Sequence, residues 1–547
     1  MALTARQTSL PIAQQQTAQA NVIPAPIEGM DARLNLSIDH PQTCIWAINM
    51  VPDEYGVRVR SGYREWQIDV GSEVRTIIPY PGLATPTAAT SDRIFAITEV
   101  GIYDVTVADD TPVLKFTFAT QDANAGWGVW THYVTQAGID LVFYADGANG
   151  LFTYTPSTDT WAQTTGIAAI AGSANALDIT KVVYIVSHKL RLWFITQGAT
   201  YAWYLPVASI AGDATEFFFG QKFKNGGDLV GLYNWTVDGG IGRDDNLVAV
   251  SRAGDVIPWT GEDPADAMTW TSTGVFYIGT VPRGNRIASE YGGELYLLST
   301  LGVTAMSDLL HGANPSDPFR NLIGYKIARL LRIDMNALKD SHGWRMQFNT
   351  NAGALMITVP KLTDDTYRQY YYNLSTGGWG LWKDVPMLAA DIWEGKIMFG
   401  TVDGRVCRMD VGADNVTLDG LSKTSIKWFI LTSYLSMGSP AQFKRVKLVR
   451  PNFVASEKPG YTIEVYYDYL QSIPLNTTND PVSLEGGLWD AGLWDQAVWS
   501  GTEKLPFSSP RGGSGIGRTI AISIAGASLN DTFLASWDVL WDTGGFL

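Results

Sequence analysis

Three pairs of adjacent aspartates are the residues of this chain best suited to acid–base chemistry. They are Asp109-Asp110, Asp244-Asp245 and Asp364-Asp365. Two carboxyl groups that face each other across a sugar could act as the acid and the base of glycoside hydrolysis. Each pair is followed by Thr or Asn, however, and in such a context aspartate commonly hydrogen-bonds the backbone of its own turn. The sequence therefore favours turns over catalysis at these positions, although it does not give the distances between carboxylates.

The histidines and cysteines lack the spacing of a metal site. The five histidines are isolated from one another and from the two cysteines, Cys44 and Cys407. Zinc sites need ligands at short, fixed spacings, and two distant cysteines make no disulfide framework. The glycine-rich run Gly512–Gly517 fits neither a phosphate-binding loop nor a nucleophile elbow. We therefore expect no catalytic residue, no metal and no cofactor, and a chain that is not an enzyme.

One dense basic run is a candidate for contact with a partner. It consists of Lys444-Arg445-Val446-Lys447-Leu448-Val449-Arg450. In a regular strand these charges point to both faces, which does not suit a one-sided reader of phosphates. A salt-bridged strand near a sheet edge and a contact between subunits are both compatible with the run.

A second basic segment has a helical period. Between Leu309 and Lys339 apolar residues recur at three-, four- and seven-residue steps, and Arg320, Lys326, Arg329 and Arg332 fall between them. This pattern predicts an amphipathic helix inserted at about 315–340, after two prolines that favour a helix start. The helix could be a solvated element on the rim or a basic contact for a partner.

A β unit recurs from about residue 93 to residue 410. Each copy is an apolar strand, a tight turn and a second apolar strand, often with a Trp-bearing strand close behind. The copies begin at Arg93, Ile139, Leu190, Asn246, Gly293, Ala354 and Lys396. Their spacing of about 40 to 60 residues is typical of propeller blades, which bury their apolar faces by stacking into a ring. The sequence thus predicts an all-β fold with a β-propeller of about six to eight blades at 65–415.

The segments on either side of the repeats have different sequence patterns. Residues 1–22 are rich in Gln, Ala and Thr and predict an extended or mobile arm. Residues 23–64 form an N-terminal segment in which Pro41 and Thr43–Met50 predict a short helix. Longer strands without the short-turn cadence predict an antiparallel β-sandwich, a platform domain, at 416–547.

Composition narrows the range of partners. The net charge of −15 argues against a protein that grips nucleic acid through its phosphates, but it is compatible with one that lets nucleic acid pass. Charged residues make up only 17% of the chain while aromatic residues make up 12%, a balance that favours large subunit contacts. The chain has no signal peptide pattern and no apolar run of membrane-spanning length. We therefore expect a chain made in the cytoplasm, with no membrane span.

The ordered series of segments resembles the tail nozzle family of short-tailed bacteriophages, also described as packaged-DNA stabilisation or tail hub proteins. The resemblance is carried by six segments in this order: Ile38–Tyr63, Gly254–Gly279, Gly292–Leu310, His342–Pro360, Tyr370–Trp382 and Lys396–Asp410. It extends from about residue 22 to residue 450 and is weakest in the second and third blades. The N-terminal arm and the Trp-rich segment 488–499 have no counterpart in it.

The resemblance implies a structural protein of the virion tail, assembled in the host cytoplasm. Its subunits would form a homo-oligomeric ring, a hexamer, below the head–tail adaptor proteins, with tail fibre or needle proteins as further partners. Double-stranded DNA would pass along the ring without specific binding. We expect the wall of that channel to be acidic or neutral, and the basic residues of the run at 444–450 and of the helical insert to lie at subunit contacts.

Two other classes of function remain open from the sequence. A carbohydrate-binding or glycoside-hydrolysing propeller would need carboxylates at equivalent positions of several blades, and no such set is found. A cellular interaction propeller would show a regular internal signature such as a repeated Trp-Asp pair, which is also not found.

Overall fold

The computed structural model describes residues 18–33, 40–82, 92–108, 111–238, 243–311, 323–363, 366–469 and 504–546. Over these residues the chain is mostly β, with a few short helices. Its first five strands are β1 (Gln19–Pro24), β2 (Cys44–Ile48), β3 (Met50–Asp53), β4 (Gly56–Val59) and β5 (Gly62–Gln67).

Five small sheets then follow one another along the chain. The first contains β6 (Thr76–Tyr80), β7 (Arg93–Ile97), β8 (Gly101–Asp104) and β9 (Val113–Thr117). The second contains β10 (Gly128–Val134), β11 (Asp140–Asp146), β12 (Gly150–Thr155) and β13 (Thr160–Gln163). The third contains β14 (Ile167–Ala169), β15 (Val182–His188), β16 (Arg191–Thr196), β17 (Ala202–Tyr204) and β18 (Gly212–Phe217). The fourth contains β19 (Leu229–Asp238), β20 (Arg243–Ser251), β21 (Asp255–Thr260), β22 (Thr271–Ser272) and β23 (Phe276–Tyr277), and the fifth contains β24 (Ala288–Tyr291), β25 (Glu294–Ser299) and β26 (Gly302–Ala305).

Helices interrupt this succession before the last strands. They are α1 (Met306–His311) and α2 (Ala328–Leu338). Short 3-10 turns lie elsewhere, at Ile179–Lys181 before β15, at Gly220–Lys222 before β19 and at Thr350–Ala352 after β27. The strands that follow are β27 (Arg345–Asn349), β28 (Ala354–Thr358), β29 (Arg368–Asn373), β30 (Gly378–Lys383), β31 (Ala389–Trp393), β32 (Lys396–Gly400) and β33 (Val406–Val411). The last strands are β34 (Ile426–Thr432), β35 (Gln442–Ala455), β36 (Gly460–Tyr467), β37 (Leu505–Phe507), β38 (Arg511–Gly512), β39 (Ile520–Ser528) and β40 (Thr532–Phe546).

The sheets close into a ring, which confirms the predicted β-propeller. A sixth small sheet, β31–β33, is completed by β5 from the N-terminal part of the chain and packs against β6 of the first sheet. In the described part of the chain, these six small sheets form separate blades. Strands β27–β30 occupy the position between β24 and β31, but they belong to a larger sheet. This sheet combines a strand from the N-terminal part of the chain with strands from the end of the propeller sequence. Backbone hydrogen bonds between them close the ring.

The predicted repeats are displaced by one strand from the blades. Each predicted copy begins at the second strand of a sheet, for example at β7, β11, β16 and β20. The inner strands of neighbouring sheets contact each other, as β10, β15 and β19 do in turn. In the third sheet the inner strand is β15, because β14 pairs with β18 at the opposite edge. These inner strands carry the loops that gather at the centre of the propeller.

Two larger sheets lie beyond the ring. One has the order β3-β4-β40-β35-β37, with β1 paired to β40 and β38 paired to β35. The other has the order β27-β28-β29-β30-β2-β34-β39-β36 and therefore runs from a propeller position into the C-terminal region. The predicted sandwich at 416–547 is not confirmed in that form, because strands from residues 19–59 and from the propeller complete both sheets.

The predicted short helix at 43–50 is wrong. This segment forms β2 and β3, separated by Asn49 with a positive φ of 55°. Strand β2 is held between β30 and β34, so its backbone groups pair with two neighbours. Ile45, Trp46 and Ile48 are residue types that favour strands, and this pairing outweighs the helix-start signal of Pro41. Of the predicted arm, residues 1–17 lie outside the described residues, and Gln19–Pro24 is β1.

The aromatic residues fill the interior of the blades. Trp193, Trp203, Trp344 and Trp379 are among the largest fully buried side chains. Trp193 stacks on Trp270 with ring centroids 6.0 Å apart, in a cluster shared by the third and fourth sheets. Such aromatic pairs stabilise the packing beyond the area they bury. The high aromatic content is therefore explained by the fold itself and does not by itself indicate subunit contacts.

Candidate functional site at the mouth of the propeller

The loops that precede the inner strands gather at one end of the propeller tunnel. We call this end the mouth; its loops precede β6, β10, β15, β19, β24 and β27. A cavity of about 140 Å³ lies there, among charged and aromatic side chains. Since each loop comes from a different blade, the mouth is assembled only when the ring closes.

A short segment, residues 283–286, crosses the mouth from one side to the other; we call it the crossbar. The guanidinium of Arg286 donates from Nε to the carbonyl of Gly128 at 2.7 Å and from Nη1 to the carbonyl of Arg75 at 3.3 Å. It also contacts the hydroxyl of Thr76. These partners lie in the first and second sheets, whereas Arg286 precedes the fifth. The side chain therefore spans the tunnel.

The other polar residues of the crossbar reach further loops. Asn285 donates from Nδ2 to the carbonyl of Val183 at 2.9 Å, at the start of β15. Arg283 donates from Nη2 to Oδ1 of Asn124 at 2.8 Å and from Nη1 to the carbonyl of Asp340 at 3.3 Å. The crossbar thus joins loops from five positions around the ring.

A second layer of side chains crosses the tunnel below the crossbar. Arg345 on β27 forms an ion pair with Asp391 on β31 at 2.7 Å, and Trp130 on β10 donates its indole N–H to the same carboxylate at 3.3 Å. With two layers of side chains across it, the propeller's own tunnel has no room for a DNA duplex, whose grooves alone are about 6 to 12 Å wide.

The mouth is positively charged. Burial and the nearby Arg345 lower the pKa of Arg286 to about 9. Burial and then the guanidiniums of Arg283, Arg286 and neighbouring arginines lower the pKa of His342 to about 4. The neutral His342 ring stacks on Trp127 with centroids 5.5 Å apart and an interplanar angle of 8°. Of the four arginines around this imidazole, Arg75 pairs with Glu73 and Glu99 and Arg252 pairs with Asp228. The other two, Arg283 and Arg286, have no carboxylate within ion-pair distance among the described residues, and they make a site that favours negative charge.

The tunnel carries the opposite charge beyond these layers. Glu290 lies on β24, and burial together with the nearby carboxylate of Asp245 raises its pKa to about 7. Asp245 accepts a hydrogen bond from the hydroxyl of Thr236 at 2.8 Å. Glu290 and Asp245 thus place two neighbouring carboxylates in this part of the tunnel.

The sequence did not identify the mouth as a site. The arginines and the histidine lie in four separate loops, and only the local run Pro282-Arg-Gly-Asn-Arg286 could have signalled the crossbar. Of the aspartate pairs, Asp109-Asp110 and Asp364-Asp365 lie outside the described residues. Asp245 lies in strand β20 and accepts its hydrogen bond from the side chain of its cross-strand neighbour Thr236, so it is not the turn residue that the sequence predicted.

Lys444 lies inside the subunit. It is fully buried, and its Nζ donates to the carbonyls of Ser439, Gln442 and Arg518 at 2.5, 3.0 and 2.7 Å. These bonds tie β35 to the segment that precedes β39. The structure therefore removes Lys444 from the predicted subunit contact.

The other three basic residues of the run lie together on the outer face. Arg445 and Lys447 are exposed by regular alternation, and a bulge between Val446 and Leu448 shifts the register so that Arg450 is exposed as well. The prediction that the run divides its charges between both faces is therefore wrong for these three residues. Lys447 and Arg450 form ion pairs of 2.5 Å with Asp542 and Asp538 on β40. Such exposed pairs contribute about 0 to 1 kcal/mol each, so this row stays available for a partner.

The residues predicted in the helical insert are separated in the structure. Arg329 and Arg332 are exposed on α2, which lies within the predicted insert. Lys326 precedes α2 and donates to the carbonyl of Glu28 at 3.0 Å, which anchors the N-terminal segment. Arg320 lies outside the described residues. The buried side of α2 includes Asp334, which forms an ion pair of 2.5 Å with Arg368 on β29.

The described residues offer neither a cluster of metal ligands nor a membrane-spanning helix. Within the described ranges, no three His, Cys, Asp or Glu side chains gather as metal ligands. The helices of the described residues are all too short or too polar to span a membrane.

Comparison with known proteins gives weak similarities only. The chain matches no protein-family model and no curated protein. It is similar to the crystal structure of a computationally designed protein, Ika8, with a TM-score of 0.33 and 8% identity over 64% of this chain and all (100%) of that chain. It is also similar to YCF48 bound to a D1 peptide, with a TM-score of 0.36 and 10% identity over 64% of this chain and 97% of that chain. These similarities are too weak to indicate a function.

Proposed function

We propose that this chain is the nozzle subunit of a short-tailed phage. It acts as a non-enzymatic wall element of the tail, in a hexameric ring below the head–tail adaptor, with tail fibre or needle proteins as further partners. DNA passes along the axis of the ring without specific binding. The observation that carries the proposal is the ordered series of six segments, from Ile38 to Asp410, that resemble the nozzle family.

The geometry of the propeller supports a wall element over a conduit within one subunit. Two layers of side chains cross its tunnel, through Arg286 and through the Arg345–Asp391 pair. A duplex must therefore travel outside each propeller, along an axis that several copies surround. A ring of identical subunits supplies such an axis.

The distribution of charge supports the passage of DNA without tight binding. The chain carries a net charge of −15, and several of its arginines are used inside the fold, such as Arg60 with Asp414 at 2.6 Å. An acidic surface repels the phosphate backbone and lowers the affinity for DNA. The outer row of Arg445, Lys447 and Arg450 remains as a basic surface that suits an acidic face of a neighbouring subunit or an adaptor.

Incorporation into virions tests the proposal. Phage particles would be produced with the native chain, with a triple variant Arg445→Gln, Lys447→Gln and Arg450→Gln, and with the matched control Lys396→Gln at an exposed position of β32. We expect mass spectrometry to detect the native chain and the control in purified particles, in a ring visible by electron microscopy. We expect the triple variant to fold normally and to be depleted.

Three results would count against the proposal or a part of it. The absence of the native chain from purified particles would refute the virion assignment. Equal incorporation of the triple variant would refute the contact surface while leaving the virion assignment in place. Hydrolysis of a glycan by the purified chain would favour the carbohydrate-directed propeller instead.

A further inference from the structure

We propose that the mouth cavity binds a small tetrahedral oxyanion of the phosphate or sulfate class. The inference does not depend on the proposed function, because it rests only on the side chains that the closed ring brings together. It assigns a ligand to the mouth of the propeller, where the sequence showed no site.

The first argument is the balance of charge at the mouth. Among the described residues, Arg252 has Asp228 within 3.5 Å, while Arg283 and Arg286 have no carboxylate within ion-pair distance. The Asp391 carboxylate near Arg286 is already held by Arg345 at 2.7 Å. Two guanidiniums near one cavity without paired carboxylates create a local excess of positive charge. An anion that enters the cavity would be stabilised by that charge.

The second argument is the supply of unused donors. A guanidinium has five N–H groups, and the hydrogen bonds of Arg283 to described residues use its two terminal nitrogens. Arg252 lines the same cavity, and its Nη1 donates to the carbonyl of Pro282 at 2.9 Å. These bonds fix the two guanidiniums in place and leave further N–H groups for a ligand. Preorganised guanidiniums are well suited to oxyanions.

The third argument is the size of the cavity. Its volume of about 140 Å³ corresponds to roughly four or five water molecules at about 30 Å³ each. A single ion with four oxygens fits this space. Gly198 and Gly284 line the cavity with positive φ values of 70° and 96°, and a Cβ at either would meet no atom within 4 Å. Space is therefore left open beside the arginines.

Calorimetric titration of the full chain with inorganic phosphate tests the inference. The titration would be made at constant ionic strength, against Arg283→Gln, which removes an unpaired charge of the mouth. The matched control is Arg332→Gln, an exposed arginine on α2. We expect one saturable site in the native chain, unchanged in the control and weakened about tenfold or more in Arg283→Gln, since hydrogen bonds to charged groups are of that strength.

A second variant and a second anion complete the design. Arg252→Gln should weaken phosphate binding in the same way, and it provides the test if the change at Arg283 impairs folding. Sulfate should compete with phosphate, whereas acetate at the same ionic strength should not. The absence of a saturable site in the native chain, an unchanged affinity in both variants, or preferential binding of acetate would each overturn the inference.

Discussion

His188 provides a sharp test of how burial controls charge in this propeller. The residue ends β15, is only 4% exposed, and has a pKa lowered to about 4, chiefly by burial and then by the neighbouring Lys189. Its Nδ1 lies 2.8 Å from Oδ1 of Asn234, so the ring is neutral and donates to that amide oxygen. In the unfolded chain a histidine has a pKa of about 6.5. Unfolding therefore takes up a proton between these two values.

The sign and size of the effect follow from this difference. Stability from the neutral ring is fully present above pH 6.5 and is lost as the pH falls toward 4. The loss is about 1 kcal/mol between pH 7.5 and pH 5.5, and about 3 kcal/mol in total, at about 1.4 kcal/mol for each pKa unit. His188→Gln removes the titrating group, so the variant should lose less stability than the native chain over this range.

Chemical unfolding at a series of pH values measures this difference. The quantity compared is the change in free energy of unfolding between pH 7.5 and pH 4.5, for the native chain and for His188→Gln. A matched control is His40→Gln, because the side chain of His40 is 44% exposed. We expect the control to follow the native chain. If the His188 variant also followed it, the imidazole would not be held neutral by burial and the reasoning would be wrong.

Three other substitutions test contacts that hold the fold together. Lys444→Met leaves three carbonyl groups without their donor and should lower the free energy of unfolding by about 3 kcal/mol; an unchanged urea midpoint would contradict the internal role of this lysine. Gly62→Ala places a methyl group 1.9 Å from the carbonyl oxygen of Ala413 and should lower the free energy of unfolding by about 2 kcal/mol. Proteolysis at the ring closure should become faster. A native-like cleavage rate would argue against β5 as the closing strand. Asp334→Asn leaves the guanidinium of Arg368 without its carboxylate and should lower the free energy of unfolding by about 3 kcal/mol. A change below about 1 kcal/mol would show that this ion pair is not needed for stability.

The repeats could be predicted because the second strand of each blade is buried on both faces. In β11 every residue is buried, and its sequence Asp-Leu-Val-Phe-Tyr-Ala-Asp is a continuous apolar run between acidic ends. The inner strand β10 is partly exposed along the tunnel and contains Thr131 and His132 within Gly-Val-Trp-Thr-His-Tyr-Val. Because apolar and polar residues are mixed in β10, its sequence has no clear hydrophobic period. This explains why each predicted unit begins one strand after the inner strand.

Contacts between distant segments could not be predicted from local pattern. Strand β2 is specified by pairing with β30 and β34, which lie more than 300 residues away in the chain. The place of Arg450 in the outer row on β35 depends on a bulge, whose position is set by the partner strand β40. A one-residue change of register moves a side chain to the opposite face. Local propensity therefore gave the β class correctly but placed a helix and one charged face incorrectly.

The residues of the mouth could not be identified as a site from the sequence for the same reason. Arg252, the pair Arg283 and Arg286, and His342 lie in three separate loops and form no recognisable motif. Only closure of the ring brings them to one cavity, where each changes the electrostatic environment of the others. Sites built this way have no motif, since their spacing along the chain follows the blade period and not the chemistry.

The distribution of charge along the tunnel suggests how an acidic protein can still contain a basic site. Arginines concentrate at the mouth, whereas Glu290 and Asp245 lie near each other farther along the tunnel. Arg283 and Arg286 are held by backbone carbonyls and an amide oxygen, which orient them without neutralising their charge. An anion at the mouth would therefore be attracted by a focused local field, while the net charge of −15 repels an extended polyanion from the outer surface. The two proposals are therefore compatible in one acidic chain: a small anion bound at the mouth, and DNA kept outside the propeller by electrostatic repulsion.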